Sequence, residues 1–276
     1  MDDLLKQIAL LNDELSSLKS DRKEFLTHDQ QLLKDIELTY TSNAIEGNTL
    51  TLDQTSDLIQ HGITVGGKRL DEHLEAKDHY EALVWMRGIA SSGNPIDEET
   101  ITELHRRVVA NSRRDIAGMY SQTARRIYGS EVIFPNPVKI PALMASLGDD
   151  LASSANSPAD AFSFHHRLVS IHPFDDGNGR TARLLMNMIL LRGGYVPVTI
   201  GPDQRSEYLG TIREAQVNND EKAPAFQEFM HRRLIVNMRE YVEVLREGRE
   251  MNQQSKKPAL TPEQLAFLHR NQGQGR

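Results

Sequence analysis

A chain of 276 residues, 38% hydrophobic and 26% charged, with no cysteine and a formal net charge of −7, has the composition of an ordinary globular protein of one or two domains. It excludes disulfides and cysteine-ligated metals, and its acidic balance speaks against direct nucleic-acid binding, so Arg106-Arg107, Arg113-Arg114 and Arg125-Arg126 read as solvated surface. No run approaches the roughly 20 apolar residues of a membrane span, and MDDLLKQIALLNDELSS is too acidic for a secretory signal, so the expected localisation is cytoplasmic, without membrane contact.

In chain order, Leu4, Ile8, Leu11, Leu15 and Leu18 recur three and four apart and predict an amphipathic helix over about the first 25 residues. Its stripe spans about two heptads, short for a coiled-coil seam, so it is expected to pack within the domain, with a homodimer as the alternative. A second helix runs to about Glu46 with Leu33, Ile36 and Tyr40 on one face, and Gly47 suits its left-handed end. Thr51 to Gln54 has capping-box spacing and opens a short helix that Gly62 stops. Helical period returns over 70–89 and 97–110, then disappears between 115 and 138, where glycines, β-branched residues and two prolines predict loop with at most a short β-hairpin. Residues 141–153 and 158–170 read as helices. The run LLMNMILL is apolar almost all round and must be a central helix, ended by Gly193-Gly194. Helices near 205–217 and 224–250 follow, and the Gln-, Lys- and Gly-rich tail reads as partly disordered, although LTPEQLAFLHR could begin one more helix. Neither an internal repeat nor a strand–helix alternation is present.

The chemistry concentrates in SIHPFDDGNGRTARLLMN, residues 170–187. Gly177 and Gly179 flank Asn178, so the backbone can turn tightly and aim successive N–H groups inward at an anion. The helix starting near Arg180 adds its unpaired N–H groups and positive dipole end, and Arg180 and Arg183 share one of its faces. Two guanidiniums beside a nest of amides suit a di- or triphosphate. Asp176 offers one hard oxygen ligand of the kind Mg²⁺ uses when it also bridges phosphates. His172, set before the rigid Pro173 and the anchoring Phe174, could take a proton near neutral pH from an attacking hydroxyl. His165 and His166 read as a packed helix face, because the spacing of a helical zinc site is missing.

His-Pro-Phe-x-Asp-Gly-Asn-Gly-Arg-x-x-Arg at 172–183 resembles the signature of the Fic family at all nine of its fixed positions, and SNAIEGNTLTL, IYGSEVIFPNP and GYVPVTIGPDQRSEYL resemble its flanking elements over roughly residues 30 to 235. The resemblance implies an all-α fold with a short β-hairpin flap. It implies AMP transfer from ATP, with Mg²⁺, to a Ser, Thr or Tyr hydroxyl of a protein target, self-modification included. By matching positions, His172 would be the general base and Asp176 the metal ligand. Gly177, Asn178, Gly179 and Arg180 would hold the α- and β-phosphates, and Arg183 the γ-phosphate. Tyr208 and Gln216 would lie by the nucleotide, with Gln216 standing where some relatives carry Asn. Gly129, Ser130, Glu131, Val132 and Ile133 would belong to the flap, about 129–136. Ser121 stands where Arg is often found. Gly179 favours nucleotidyl transfer over the kinase branch, which has Lys there, without excluding UTP, GTP or a choline donor.

Ser42-x-x-x-Glu46-Gly47 is similar to the family's inhibitory pattern. A carboxylate paired with Arg183 would occupy the guanidinium that must orient the γ-phosphate, so Glu46 is expected to restrain the enzyme. The implied organisation is an N-terminal helical region at 1–65 with its inhibitory helix at about 29–46, a catalytic core at 66–250 and a tail at 251–276. Alternatives are a bifunctional or mainly AMP-removing enzyme in which Glu46 orients water, transfer of another nucleotide, and an ATP-binding regulator without chemistry.

Overall fold

The structure is a computed structural model and describes residues 1–19, 26–124 and 131–255. Its described elements are helices: α1 (Asp2–Lys19), α2 (His28–Ile45), α3 (Leu52–His61), α4 (Leu70–Ser92), α5 (Glu98–Val108), α6 (Ile140–Ala152), α7 (Pro158–Ile171), α8 (Asn178–Arg192), α9 (Arg205–Val217) and α10 (Pro224–Ser255), with short 3₁₀ turns between some of them. Their ends follow the chemistry of the sequence. Thr27 with Gln30, Thr51 with Gln54 and Ser157 with Asp160 form reciprocal capping boxes that satisfy amides at three helix starts. Gly62 ends α3 at φ 68° in the left-handed region that glycine adopts without strain.

The apolar run of the sequence becomes α8, buried continuously from Arg180 to Leu190 and packed by α4, α5 and α7, with α2 across its start. Asn187 is the polar exception in its middle. Its side chain donates to the Val198 carbonyl at 3.1 Å and accepts the Val198 N–H at 2.8 Å, pinning the following connection to the helix. Truncating a leucine here, Leu185→Ala for example, removes a fully buried side chain and costs roughly 2–5 kcal/mol. The leucine stripe of α1 packs inside the chain as expected: Ile8 and Leu15 are buried, and α1 lies along α10.

One expectation falls partly outside the described residues, and another is corrected. The short β-hairpin is not seen among the described residues: 131–136 carry no assigned strand, and the β contact there is an antiparallel bridge between Tyr120 and Phe174. Gly129 and Ser130 lie outside the described residues, as do 256–276 of the tail. On α2, Leu33 does not share the buried face with Ile36 but is 61% exposed. The helix instead buries polar residues, each matched to a partner: Asp35 accepts from Arg87 at 2.9 Å, Thr39 meets His79 at 3.3 Å, and Ser42 accepts from Arg183 at 3.0 Å. Hydrogen-bonded polar groups tolerate burial, and hydrophobic spacing alone does not register them.

Candidate active site

Helix α7 stops because His172 takes a left-handed conformation, φ 52° and ψ 54°, while its N–H still donates to Leu168 at 2.9 Å. A non-glycine residue held there is uncommon and turns the chain sharply. The His172 ring stacks on Phe134 at 4.2 Å, so the extended segment 131–136 lies against the candidate base. Pro173 accepts from the Ser121 N–H at 2.8 Å, and Phe174 is fully buried, stacked on His105 at 3.6 Å. Asn178 then clips the loop. Its Oδ1 accepts the Phe174 N–H at 3.0 Å and its Nδ2 donates to the Phe174 carbonyl at 2.8 Å.

His105 holds the outer side of this loop. Its Nδ1 accepts the Gly118 N–H at 3.1 Å, which leaves Nε2 protonated and donating to the Asp176 carbonyl at 3.0 Å. Burial pushes its pKa down to about 4, against the bond to Asp176, so the ring is neutral at physiological pH. Asp176 Oδ1 accepts the Gly177 N–H at 2.6 Å and Oδ2 stands 3.4 Å from Arg180 Nη2. Gly177, at φ 76°, lets the chain enter α8.

The start of α8 receives α2. Arg183 is buried and donates from Nε to Ser42 Oγ at 3.0 Å, and from Nη2 to the Ser42 carbonyl at 2.8 Å and to Glu46 Oε1 at 2.7 Å. A Cβ built on Gly179 would overlap the same Glu46 oxygen, so the carboxylate lies against the glycine of the amide nest. Burial opposes the charge of Arg183, but the Glu46 carboxylate and Tyr208 hold its pKa above the usual value. Behind it, Arg183 Nη1 donates to the Tyr208 hydroxyl at 3.5 Å, so that hydroxyl's own hydrogen goes to His165 Nε2 at 2.8 Å. Tyr208 is 1% exposed and supports Arg183 from the core. Gln216 sits farther along α9 and donates to the Val169 carbonyl at 3.2 Å. The structure thus brings His172, Asp176, Gly177, Asn178, Gly179, Arg180, Arg183, Ser42 and Glu46 to one end of α8, with Val132 buried, and Glu131 and Ile133 exposed, on the neighbouring segment.

Residues 95–190, which contain this whole loop, match the Fic/DOC family model. Over these residues the chain is similar to Fic/DOC domains. It is similar to the Protein adenylyltransferase Fic of Nematostella vectensis, 38% identical over 181 residues, which are 64% of this chain and 42% of that protein. The Drosophila willistoni protein of the same name is also 38% identical, over 180 residues, 64% of this chain and 36% of that protein. The chain thus spans well under half the length of these curated relatives. Among solved structures, a Fic domain containing signaling protein from Bacteroides thetaiotaomicron superposes with a TM-score of 0.78 at 28% identity, covering 87% of this chain and 97% of that one. Fic-1 from C. elegans does so with a TM-score of 0.75 at 26% identity, covering 90% and 74%.

Further residues, remote in the chain, hold this site in place. His105 joins the loop to Gly118, and the fully buried Asp78 accepts the N–H groups of Asn111 and Ser112, both at 2.8 Å, fixing the turn beyond α5. Arg205 donates to the Ile45 carbonyl at 2.6 Å and ties down the end of α2. These partners lie far apart in the chain, so no local spacing announces them. His165 and His166 are buried in the helix face, and no cluster of three metal-ligating side chains occurs among the described residues. The donor set of the loop is one carboxylate: Asp176, with a side chain 41% exposed, beside a cradle of amides and arginines. That set fits Mg²⁺, which binds through one or two carboxylates and completes its shell with water and substrate phosphates.

No helix among the described residues is long and apolar enough to cross a membrane.

Proposed function

We propose that this chain is a protein adenylyltransferase, moving AMP from ATP to a Ser, Thr or Tyr hydroxyl of a protein, and that Glu46 restrains it. The observation that carries the reading is the position of Glu46: its carboxylate pairs with Arg183 and lies against Gly179, at the amide-lined helix start where an anion would sit. The names of the curated relatives support the chemistry.

In the reaction, the target oxygen attacks the α-phosphorus of ATP, the bond to the bridging oxygen breaks, and pyrophosphate leaves. His172 takes the hydroxyl proton at a ring nitrogen. Its left-handed turn and the Phe134 stack orient the ring. The amides at Gly177 to Gly179 and the guanidinium of Arg180 bind the α- and β-phosphates, and Arg183, once released from Glu46, binds the γ-phosphate. Mg²⁺, held by Asp176, would supply positive charge for the departing pyrophosphate. The segment 131–136 aligns the target beside His172, with Ile133, 86% exposed, offering an apolar contact. Tyr208, expected by the nucleotide base, acts through Arg183, and Gln216 would be a further nucleotide contact.

The test is the intact mass of Glu46→Gly after incubation with ATP and Mg²⁺: a gain of one AMP supports the reading, and an unchanged mass opposes it. The placement of Glu46, 41% exposed at its side chain, also favours a second activity in which it orients water to remove AMP from a modified target. Equal loss of label from an adenylylated target with wild type and Glu46→Gly would remove that second activity.

A further inference from the structure

Arg180 is buried more deeply than its neighbours can satisfy. Its side chain is 3% exposed, and its Nε and Nη1 have no hydrogen-bond partner among the described residues. A guanidinium so placed is costly unless countercharge stands close. Two carboxylates provide it. Asp176 Oδ2 lies 3.4 Å from Nη2, and Glu75 Oε1, from the facing side of α4, lies 3.9 Å from Nη1.

Glu75 is itself held. Its Oε2 accepts from Asn48 Nδ2 at 3.0 Å, and the same amide donates to the Glu72 carbonyl at 2.9 Å. Asn48 is two residues past Glu46, and its N–H donates to the Asn43 carbonyl at 3.1 Å at the end of α2. The segment that bears the proposed brake therefore also fixes the carboxylate beside Arg180. Burial pushes the Glu75 pKa up, with the charge of Arg180 opposing; a carboxylate left in that surrounding is there at a cost.

Resting on the proposed nucleotidyl transfer, we propose that Glu75 is a positioning residue, which with Asp176 holds the Arg180 guanidinium in the one orientation that meets the leaving pyrophosphate, and which Asn48 keeps in place. Glu75 itself does not touch the nucleotide. It acts through Arg180, and its negative charge adds repulsion toward the bound phosphates. Removing that charge relieves the repulsion while freeing Arg180 to adopt other orientations, so affinity and turnover should separate.

The experiment uses the full chain carrying Glu46→Gly, compared with Glu46→Gly/Glu75→Gln and Glu46→Gly/Asn48→Ala. ATP affinity in the presence of Mg²⁺ is read by calorimetry, and turnover by label transfer. With Glu75→Gln, the Kd for ATP should stay within about threefold or tighten while turnover falls about tenfold or more. Asn48→Ala leaves every charge in place and should lower turnover by a smaller factor at unchanged Kd. Turnover unaffected by Glu75→Gln, or affinity and turnover lost together with a lowered Tm, overturns the role of Glu75. If the Glu46→Gly parent transfers no label at all, the reading of the reaction fails first and the positioning role falls with it.

Discussion

Arg183 and Glu46 are joined at 2.7 Å across a separation of 137 residues, and the same guanidinium is held twice more by Ser42. Three bonds from one helix end thus converge on the side chain proposed to bind the γ-phosphate. Charge-assisted bonds to a buried guanidinium are among the stronger polar contacts, and on the proposed function ATP would displace the carboxylate to reach it.

Replacing Glu46 by glycine should therefore raise automodification by about tenfold or more over wild type, since one charge-assisted bond corresponds to roughly 1.5–3 kcal/mol. Gel quantification of labelled protein at matched times checks this. Equal, slow labelling of the two proteins would remove the restraint from the account.

Ser42→Ala should give a weaker version of the same effect. It deletes the hydroxyl acceptor of Arg183 Nε and leaves the carbonyl and Glu46 in place, a loss of about 1 kcal/mol, or roughly fivefold. Labelling as fast as in Glu46→Gly would mean that Ser42, rather than Glu46, carries the restraint.

Asn178→Ala should damage stability and activity together. It leaves the buried N–H and carbonyl of Phe174 without partners, which costs on the order of 2 kcal/mol or more. A Tm lowered by several degrees, with labelling lost in the Glu46→Gly background, is the expected result. An unchanged Tm would show that the clip around Phe174 is not needed.

Acid should loosen the same loop through His105. Its folded pKa is depressed to about 4, below the unfolded value near 6.5, so between these values the unfolded chain binds more protons and stability falls as pH drops. At pH 5 this one ring accounts for about 2 kcal/mol, and protonation at Nδ1 removes the acceptor of the Gly118 N–H. Burial also holds His79 and His165 low, with the same sign. Thermal melts at pH 7 and pH 5, with and without His105→Gln, test the assignment: the substitution should flatten the pH dependence, and an identical slope would contradict it.

How much of this was legible in the sequence differs by element. The leucine stripe of α1, the capping box at Thr51 and the apolar run of α8 are local patterns, and each appears where such patterns form structure. The end of α8 was legible for the same reason, because His172 through Arg183 lie within one turn and one helix start. The buried face of α2 was not, since Asp35, Thr39 and Ser42 are stabilised inside by partners on α4 and α8 that no spacing reveals. The Glu75–Arg180 approach was hidden likewise, being made by the packing of α4 on α8.

The central claim is that the glycine-lined turn and its arginines present ATP while His172 takes the proton of the attacking alcohol. Its most direct test is transfer of label from ATP marked at the α-phosphate, comparing Glu46→Gly with Glu46→Gly/His172→Ala at equal concentration. The account predicts ready labelling of the first and a loss of roughly 100-fold or more in the second. Equal labelling of both proteins would contradict it.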